Sequence, residues 1–337
     1  MQTSPNATSL LKFSLRLPLI VLLVILFSEC AAPEKPQDNE QLQDQDKLRF
    51  IFITCVVHED FFIPLKKGME DAARMMDVDC VFTGTEGVDI VAQAELVRQA
   101  IRDGYDGIAL NIIDPIGFDE VTRESAEAGI PLVAFNIDDH TTPNDRLSTV
   151  SQSFYEAGKS MGNEAAKFIP DGSEILMTMH DKGVSALDDR LRGAQDGLRE
   201  AGLENVKWKV VITGNTVAES AELIGRELHA NPQIKFVLCT GQADTEGAGL
   251  AIGKNFADQG YKAAGFDLSQ NILKNIIEGH IAFTIDQQPY IQGFYPVIQL
   301  ALLKRYGIMP SSIDTGAAII NIDNAESVLQ LTEQHYR

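Results

Sequence analysis

Short apolar or β-branched runs alternate with longer amphipathic segments along most of the chain after Arg49. Such runs are typical of strands buried on both faces, and segments with apolar spacing near 3.6 are typical of the helices that cover them. The pattern predicts parallel sheets flanked by helices. The predicted strands are 50–57, 78–83, 107–112, 132–137, 147–151, 174–179, 207–213, 236–240, 263–267, 282–286 and 317–322. The predicted helices are 63–76, 89–103, 118–128, 155–168, 188–201, 218–230, 269–278 and 291–306.

Three glycines mark where predicted helices end. Gly104, Gly129 and Gly202 each follow a helical pattern at the position where a left-handed residue commonly stops a helix. The predicted strands are more numerous than one doubly wound sheet normally holds, so we predict two sheets of similar construction. The length of 337 residues indicates the same division, because single hydrophobic cores stop growing near about 250 to 300 residues.

The first thirty residues differ from all that follow. Lys12 and Arg16 precede an uninterrupted apolar run over 17–27. This run is shorter than the ~20 residues that a membrane-spanning helix needs, so we predict an export signal over residues 1–30. The mature protein is therefore expected outside the cytoplasm, in the periplasm or anchored by lipid at the outer face of a membrane.

Cys30 stands directly behind the apolar run and resembles the lipid-accepting cysteine of bacterial lipoproteins. Glu29 departs from the small residues that usually precede such a cysteine, and ordinary cleavage near Ala31 with release of a soluble protein is the alternative. Residues 31–47 are rich in Pro, Gln, Asp and Glu, and their few apolar groups predict a flexible tether.

Charge argues against nucleic acid as a partner. The 48 acidic residues outweigh the 28 basic ones and give a formal charge of -20, which repels phosphate-rich polymers. The three remaining cysteines, Cys55, Cys80 and Cys239, lie in separate apolar runs, so we predict buried thiols and neither a disulfide framework nor a metal site.

Polar side chains recur where the predicted strands end, which is where open parallel sheets bind their ligands. They offer carboxylates, amides and guanidinium groups, which pair well with vicinal hydroxyls. The set favours a sugar or polyol, although a turn or cap role is the alternative at any single position. These residues are His58, Glu59, Asp60, Asn111, Asn136, Asp138, Arg190, Arg192, Asn215, Asp244, Asp267, Gln287 and Gln288.

Five segments occur in an order and spacing that resemble the ribose and simple-sugar periplasmic binding proteins of ABC transporters. They are Phe-Phe-Ile-Pro-Leu-Lys-Lys-Gly at 61–68, Gly-Ile-Ala-Leu-Asn at 107–111, Arg-Leu-Arg-Gly at 190–193, Gly-Phe-Asp at 265–267 and Ile-Asp-Gln-Gln-Pro at 285–289. The resemblance runs from about Arg49 to Ile322. It implies the type I fold, with two similar doubly wound parallel-sheet lobes joined by three crossings, near Ser151, 287–288 and Thr315.

The resemblance also implies lobes made of 48–151 plus 288–314 and of 152–287 plus 315–330. A sugar or sugar-like polyol would bind between them by hinge closure, and a monomeric protein would deliver it to an ABC permease. Phe61 and Phe62 would sandwich the sugar, whereas the hydroxyls would bond to Asn111, Arg190, Asp267 and Gln287. A sensory receptor that docks on a chemotaxis or kinase partner is the alternative function.

Two departures from the ribose-binding pattern bear on specificity. Glu59-Asp60 stand where ribose binders carry Asn-Pro, and Asn136-Ile137-Asp138 stand where they carry Asp-Arg. The lost arginine and the added carboxylates indicate a ligand other than ribose, such as an amino sugar or a polyol.

Other chemistries find less support. His58-Glu59-Asp60 and Asp138-Asp139-His140 contain metal-ligand residue types, but neighbours on one loop rarely point at one centre. Gly247, Gly249 and Gly253 have the wrong spacing for a dinucleotide fingerprint, so we predict close helix packing. The chain has no phosphate-loop or His-Glu-x-x-His motif, so we expect neither an enzyme nor a bound cofactor or metal.

Overall fold

Residues 47–58, 60–139, 141–182 and 184–337 are described by a computed structural model. They fall within one unit, Asp46–Arg337. The predicted signal, Cys30 and all but the last residue of the predicted tether lie outside the described residues, as do Glu59 and His140. None of the helices in the described part of the chain is long and apolar enough to cross a membrane.

Strands and helices alternate along most of the chain. The strands are β1 Arg49–Thr54, β2 Asp79–Gly84, β3 Gly107–Ile112, β4 Leu132–Asp138, β5 Thr149–Ser151, β6 Glu174–Met179, β7 Lys207–Ile212, β8 Phe236–Cys239, β9 Lys262–Phe266, β10 Ile281–Asp286, β11 Ile313–Asp314 and β12 Ala318–Asn321. The helices are α1 Phe62–Met76, α2 Ile90–Arg102, α3 Asp119–Glu127, α4 Phe154–Ala165, α5 Ser185–Glu200, α6 Val217–Ala230, α7 Gln242–Asn255, α8 Gln270–Ile277, α9 Pro289–Tyr306 and α10 Ala325–Glu333.

Two six-stranded sheets form the frame. The first has the order β11-β5-β4-β3-β1-β2 with every pair parallel, and Phe50 of β1 stands opposite Gly107 of β3. The second has the order β12-β10-β9-β8-β6-β7, and only its edge strand β12 runs antiparallel, to β10. The prediction of two similar parallel-sheet lobes is confirmed.

Alternation along each strand explains the two cores of each sheet. In β1, Phe50 and Phe52 pack on one side with residues of α1 and α9, whereas Ile51 and Ile53 pack on the other with residues of α2 and α3. The second sheet is covered in the same way, with α4 and α5 on one face and α6, α7 and α8 on the other. Because both faces are covered, the strands read as continuous apolar runs.

The chain passes between the sheets three times. It leaves the first sheet after β5, returns after β10 to form α9 against α1 and β4, and leaves again between β11 and β12. We call the first sheet with α1, α2, α3 and α9 the first lobe, and the second sheet with the remaining helices the second lobe. The three crossings agree with the predicted hinge, while the lobe limits predicted above, down to the residue, remain a prediction.

Most local predictions hold. The three helix-ending glycines have left-handed backbones, with φ of 66° at Gly104, 71° at Gly129 and 89° at Gly202. The cysteines among the described residues form no disulfide, and Cys55 and Cys239 are buried as predicted, whereas Cys80 is only half-buried. Added Cβ atoms on the glycines at 247, 249 and 253 would come within 2.6 to 2.8 Å of neighbouring side chains, which confirms close packing.

Two elements, β11 and α10, were not predicted, and α7 was predicted only as close helix packing around Gly247, Gly249 and Gly253, without bounds. β11 has only two residues, too few to give a pattern. α7 buries mainly small side chains and has no one-sided apolar stripe, and α10 follows the last predicted strand. A helix enclosed on several sides lacks the periodic contrast by which amphipathic helices are recognised.

Candidate ligand-binding cleft

A cavity of about 380 Å³ lies where the carboxyl ends of both sheets meet. Cavities of this size are within the range that holds small molecules. Eight of the polar strand-end residues and phenylalanines predicted to bind the ligand line it, and they come from both lobes: Asp60, Phe61, Phe62, Asn136, Arg190, Asn215, Asp267 and Gln287. The structure therefore brings together side chains as distant in sequence as Phe61 and Gln287.

Arg190 is the main cation of the cavity. It is 4% exposed, donates from Nη1 to the carbonyl of Thr240 and from Nη2 to Oε1 of Gln152, each at 2.8 Å, and its guanidinium lies 4.0 Å from the centre of the Phe266 ring. Its Nε is buried with no hydrogen-bond partner in the protein. Burial lowers the pKa of Arg190, and the nearby Asp267 carboxylate acts in the opposite sense. The fixed guanidinium keeps one donor for an acceptor that the protein does not supply.

Asp267 follows β9 with a left-handed backbone, φ 71°, and is 6% exposed. Its Oδ1 accepts a hydrogen bond of 2.5 Å from Nε2 of Gln287, and its Oδ2 lies 4.0 Å from Nη1 of Arg190. Burial raises the pKa of Asp267, while Arg190 and Gln287 work to lower it. Oδ2 of Asp267 therefore makes no direct hydrogen bond to Arg190 and can act as an acceptor for the ligand.

Three amides continue this network into the first lobe. Asn111 donates from Nδ2 to Oδ1 of Asn136 at 3.0 Å, and Asn136 donates from Nδ2 to Oε1 of Gln287 at 3.4 Å. Asn136 has a φ of 61°, and the pairing of β3 with β4 shifts register at this point. Asn tolerates the left-handed region better than most residues, so the strand can turn this amide toward the cleft.

Phe61 and Phe62 contact each other, which differs from the expected arrangement with a sugar between their rings. The rings of Phe61 and Phe62 meet edge to face, with centroids 5.1 Å apart and planes at 79°. Phe62 is 3% exposed and packs against Phe82, so it supports the wall from within. Another aromatic group comes from the second lobe, where Phe154 lines the cavity at the start of α4. The one sequence feature that could have indicated Phe154 is the aromatic pair Phe154-Tyr155, which directly follows the first crossing.

Asn111, Asp138 and Asp244 lie outside the cavity lining. Asn111 is fully buried, Asp138 is paired with Arg146 at 2.5 Å, and Asp244 is 0% exposed. Asp244 accepts bonds from the Thr178 hydroxyl at 2.6 Å and from two backbone N–H groups at the start of α7. Direct ligand contact by these three residues therefore stays a prediction, and Asn111 in addition bonds to Asn136, which lines the cavity.

Acidic groups outnumber cations around the cavity. Asp60, Glu86 and Asp181 line it together with Asp267, whereas Arg190 is the one Lys or Arg in the described lining. His58 and Glu86 are 3.3 Å apart. In the part of the chain that the structure describes, no three His, Cys, Asp or Glu side chains are grouped to hold a metal ion.

Comparison with known proteins gives consistent matches. Residues 50–305 match the periplasmic binding protein domain family. A xylose/arabinose-binding protein of Sulfolobus acidocaldarius is 30% identical over 319 residues, 90% of this chain and 78% of that protein. A fructose import binding protein of Bifidobacterium longum is 24% identical over 237 residues, 67% of this chain and 68% of that protein. The crystal structure of a carbohydrate transporter from Acidothermus cellulolyticus in complex with myo-inositol has a TM-score of 0.76, with 24% identity, and covers 86% of this chain and all of that one.

Proposed function

The chain belongs to the periplasmic binding protein domain family, and we propose that it is the extracytoplasmic binding protein of an ABC importer for a small sugar or sugar-like polyol. The family is one of solute-binding proteins and not of enzymes. The ligand binds in the cavity between the lobes, and closure about the three crossings encloses it. The released ligand is chemically unchanged.

The observation that carries this proposal is the hydrogen-bonded group at the centre of the cavity. Arg190 and Asp267 of the second lobe meet Asn136 of the first through Gln287, all at the wall of one cavity. Adjacent donors and acceptors of this kind suit neighbouring hydroxyl groups, each of which both donates and accepts. A ligand that bonds to both lobes stabilises the closed form by its differential contacts.

Each lining residue then has a role. Arg190 donates to ring or hydroxyl oxygens of the ligand, and Oδ2 of Asp267 accepts from a hydroxyl. Gln287 and Asn136 bond to the neighbouring hydroxyls. Phe61 and Phe154 provide apolar faces for the C–H surface of the ring. Asn215 is exposed at the rim, where it donates to Asp181 at 3.2 Å.

Charge narrows the ligand class. With four carboxylates and one arginine in the lining, the cavity repels sugar acids and sugar phosphates. Neutral sugars, polyols and amine-bearing sugars are therefore the expected ligands. The relatives named above supply the first probes, since their names specify xylose, arabinose and fructose, and the solved neighbour holds myo-inositol.

Import is favoured over sensing because a relative is named as an import binding protein. We propose a monomer that docks on a membrane permease, with Cys30 as its lipid anchor. Replacement of Cys30 by Ala should move the protein from the membrane fraction to the soluble fraction. An unchanged membrane fraction would show that the anchor lies elsewhere.

The ligand class can be tested by thermal unfolding with D-xylose, L-arabinose, D-fructose, myo-inositol and glucosamine, and with glucuronate and glucose 6-phosphate as charged comparisons. We expect at least one neutral or amine-bearing compound to raise the midpoint, because a ligand that binds only the folded state stabilises it. The charged pair should have no effect. The substrate class is wrong if only nucleosides or amino acids, added in parallel, shift the transition.

A further inference from the structure

Two buried glutamines outside the cavity lining join the ligand site to the third crossing, the segment Thr315–Gly316. Gln152 is 2% exposed and Gln292 is 0% exposed. We propose that they are positioning residues that couple the arrangement of the site to the hinge, one for each lobe. The proposal rests on the function proposed above and adds the residues through which ligand binding and closure communicate.

Gln292 serves the first lobe. Its Oε1 accepts from Nδ2 of Asn136 at 3.1 Å. Its Nε2 donates to the carbonyl and to Oε1 of Gln287, at 3.0 and 3.2 Å, and to the hydroxyl of Thr315 at 3.1 Å. One amide therefore holds a site residue of the first lobe, the middle crossing and the third crossing together.

Gln152 serves the second lobe from the first crossing. Its Oε1 accepts from Nη2 of Arg190 at 2.8 Å, and its Nε2 donates to the carbonyl of Gly316 at 2.8 Å. The guanidinium that faces the ligand is therefore one side chain away from the third crossing. Neither glutamine could be identified from the sequence, because each is a single polar residue beside a strand end or within a helix.

The third crossing is also bonded to its two neighbours. The N–H of Thr315 donates to the carbonyl of Ser151 at 2.9 Å, and Nε2 of Gln288 donates to the carbonyl of Thr315 at 2.7 Å. Thr315 is 2% exposed, and Gly316 has a φ of 80° that favours glycine. The backbone at this point is thus fixed by bonds from both other crossings as well as by the two glutamines.

The coupling follows from the geometry of these bonds. Rotation of one lobe against the other changes backbone angles at the crossings. It must then strain or break the bonds of 2.8 to 3.1 Å by which the two glutamines link Arg190 and Asn136 to the third crossing. A ligand that fixes those two side chains favours the hinge arrangement in which the bonds are intact. Such a contiguous set of buried bonds gives a physical route for coupling that spatial proximity alone does not.

Gln299 provides a matched control within α9. It is 9% exposed, accepts from the Ser148 hydroxyl at 2.7 Å and donates to the carbonyl of Ser311 at 2.7 Å. Like Gln292, it is a glutamine of α9 that bonds to a hydroxyl and to a backbone carbonyl. Unlike Gln292, it contacts neither the ligand site nor a crossing. Its replacement measures the cost of losing a buried glutamine without the proposed coupling.

The test compares Gln152→Met, Gln292→Met, their double variant and Gln299→Met. Affinity is measured by calorimetry with whichever of D-xylose, L-arabinose, D-fructose, myo-inositol and glucosamine stabilises the unaltered protein most. We expect about a tenfold loss for each coupling variant and less than about twofold for Gln299→Met. The double variant should lose less than the product of the single losses, because both side chains act through the same segment.

A second readout needs no ligand. Hydrogen exchange of the backbone over 314–318 should become faster in both coupling variants and stay unchanged in Gln299→Met. Thr315→Val, which removes only the hydroxyl that Gln292 contacts, repeats the test with a smaller change if a glutamine variant fails to fold.

The outcomes separate the two proposals. If none of the five sugars binds the unaltered protein, the proposed function fails, while the exchange measurement still decides the coupling. If a sugar binds and the coupling variants match Gln299→Met in both affinity and exchange, the coupling is refuted and the function stands. Strictly multiplicative losses in the double variant would likewise contradict a shared route through the third crossing.

Discussion

The two walls of the cleft are built from the same kind of strand end, but they differ in chemistry. The first lobe contributes an aromatic ring and an amide, Phe61 and Asn136, and its carboxylates, Asp60 and Glu86, are exposed. The second lobe contributes the buried charges of Arg190 and Asp267. Asp244 lies close behind those charges, on the second lobe as well. The second wall therefore has its charged groups assembled before any ligand arrives, and the first wall mainly completes the shape of the site.

The two walls share a backbone feature but differ in the side chain that it carries. Asn136, near the end of β4, and Asp267, just after β9, both have left-handed backbones, with φ of 61° and 71°. The same local device thus turns an amide toward the cleft in one lobe and a carboxylate in the other. Since a buried charge costs far more to leave unpaired than a buried amide, changes to the second wall should have the larger effects.

Among these single substitutions, we expect the largest loss of affinity from Arg190→Met, in the second wall. It leaves the Asp267 and Asp244 carboxylates buried without their cation, and the loss of one member of such a group costs about 3–5 kcal/mol. We expect affinity to fall by more than about 100-fold, together with a lower free energy of unfolding. Calorimetry and denaturant unfolding measure the two effects.

Arg192→Met is the control for that change. Arg192 lies on the same helix, but its side chain is 64% exposed and pairs with Asp189. We expect affinity within about twofold of the unaltered protein, as for other exposed positions. Equal losses in the two variants would contradict a special role for Arg190.

Asp267→Asn separates binding from stability. Since burial raises the pKa of Asp267, its ionised form is disfavoured in the folded protein. Its stabilising contribution is full below the pKa of the unfolded chain and is lost as pH rises through the raised folded pKa. We expect the ligand-free variant to be at least as stable as the unaltered protein at neutral pH, with affinity about 10- to 100-fold lower because a charged acceptor is lost.

The same carboxyl gives the pH dependence of binding. As pH falls through the raised pKa of Asp267, the carboxylate is protonated, so affinity should decline in the unaltered protein at a pH above the usual range of aspartate. His180, Arg190 and Asp244, which also act on this group, are present in the variant as well. Calorimetry across this range should therefore give a flatter profile for Asp267→Asn, and parallel profiles would assign the dependence to another group.

The aromatic residues sharpen the comparison between the two walls. Phe61→Leu and Phe154→Leu each remove one apolar face, for which we expect about a three- to tenfold loss of affinity. Phe62→Leu should instead lower the unfolding free energy by about 1 kcal/mol with little effect on affinity, because that ring packs inside the lobe. A large loss of affinity in Phe62→Leu would instead support the original prediction that Phe61 and Phe62 sandwich the sugar.

The smallest expected effect belongs to the rim. Asn215 is exposed, so Asn215→Ala should change affinity by less than about twofold by calorimetry. A tenfold loss would show that the ligand extends farther toward the second lobe's edge than the central network indicates.

The sequence could predict the fold because the strands are nearly continuous apolar runs and several helices end at glycine. It also located the strand ends, which is why residues as distant as Phe61, Arg190 and Gln287 were expected in one site. It could not decide which polar group at a strand end faces the cavity. Asn136 and Asp138 are two positions apart on one strand, yet only the first lines the cavity, because the bulge at β4 redirects the side chains.

The other residues that could not be predicted have roles that depend on partners distant in sequence. Phe154 becomes a wall only when the second lobe faces the first, and Gln152 and Gln292 matter only through bonds that join separate crossings. Asp244 has the chemistry of a ligand-binding residue, but its oxygens are taken up by the N–H groups that begin α7. No local pattern in the chain encodes these pairings.

Closure of the two lobes on a hydroxyl-rich ligand can be measured most directly by small-angle X-ray scattering, with and without the sugar that most raises the unfolding midpoint. We expect the radius of gyration of the unaltered protein to decrease when the sugar is added, and that of Arg190→Met to stay unchanged at the same concentration. A sugar that binds tightly while the scattering profile stays that of the ligand-free protein would contradict binding by closure.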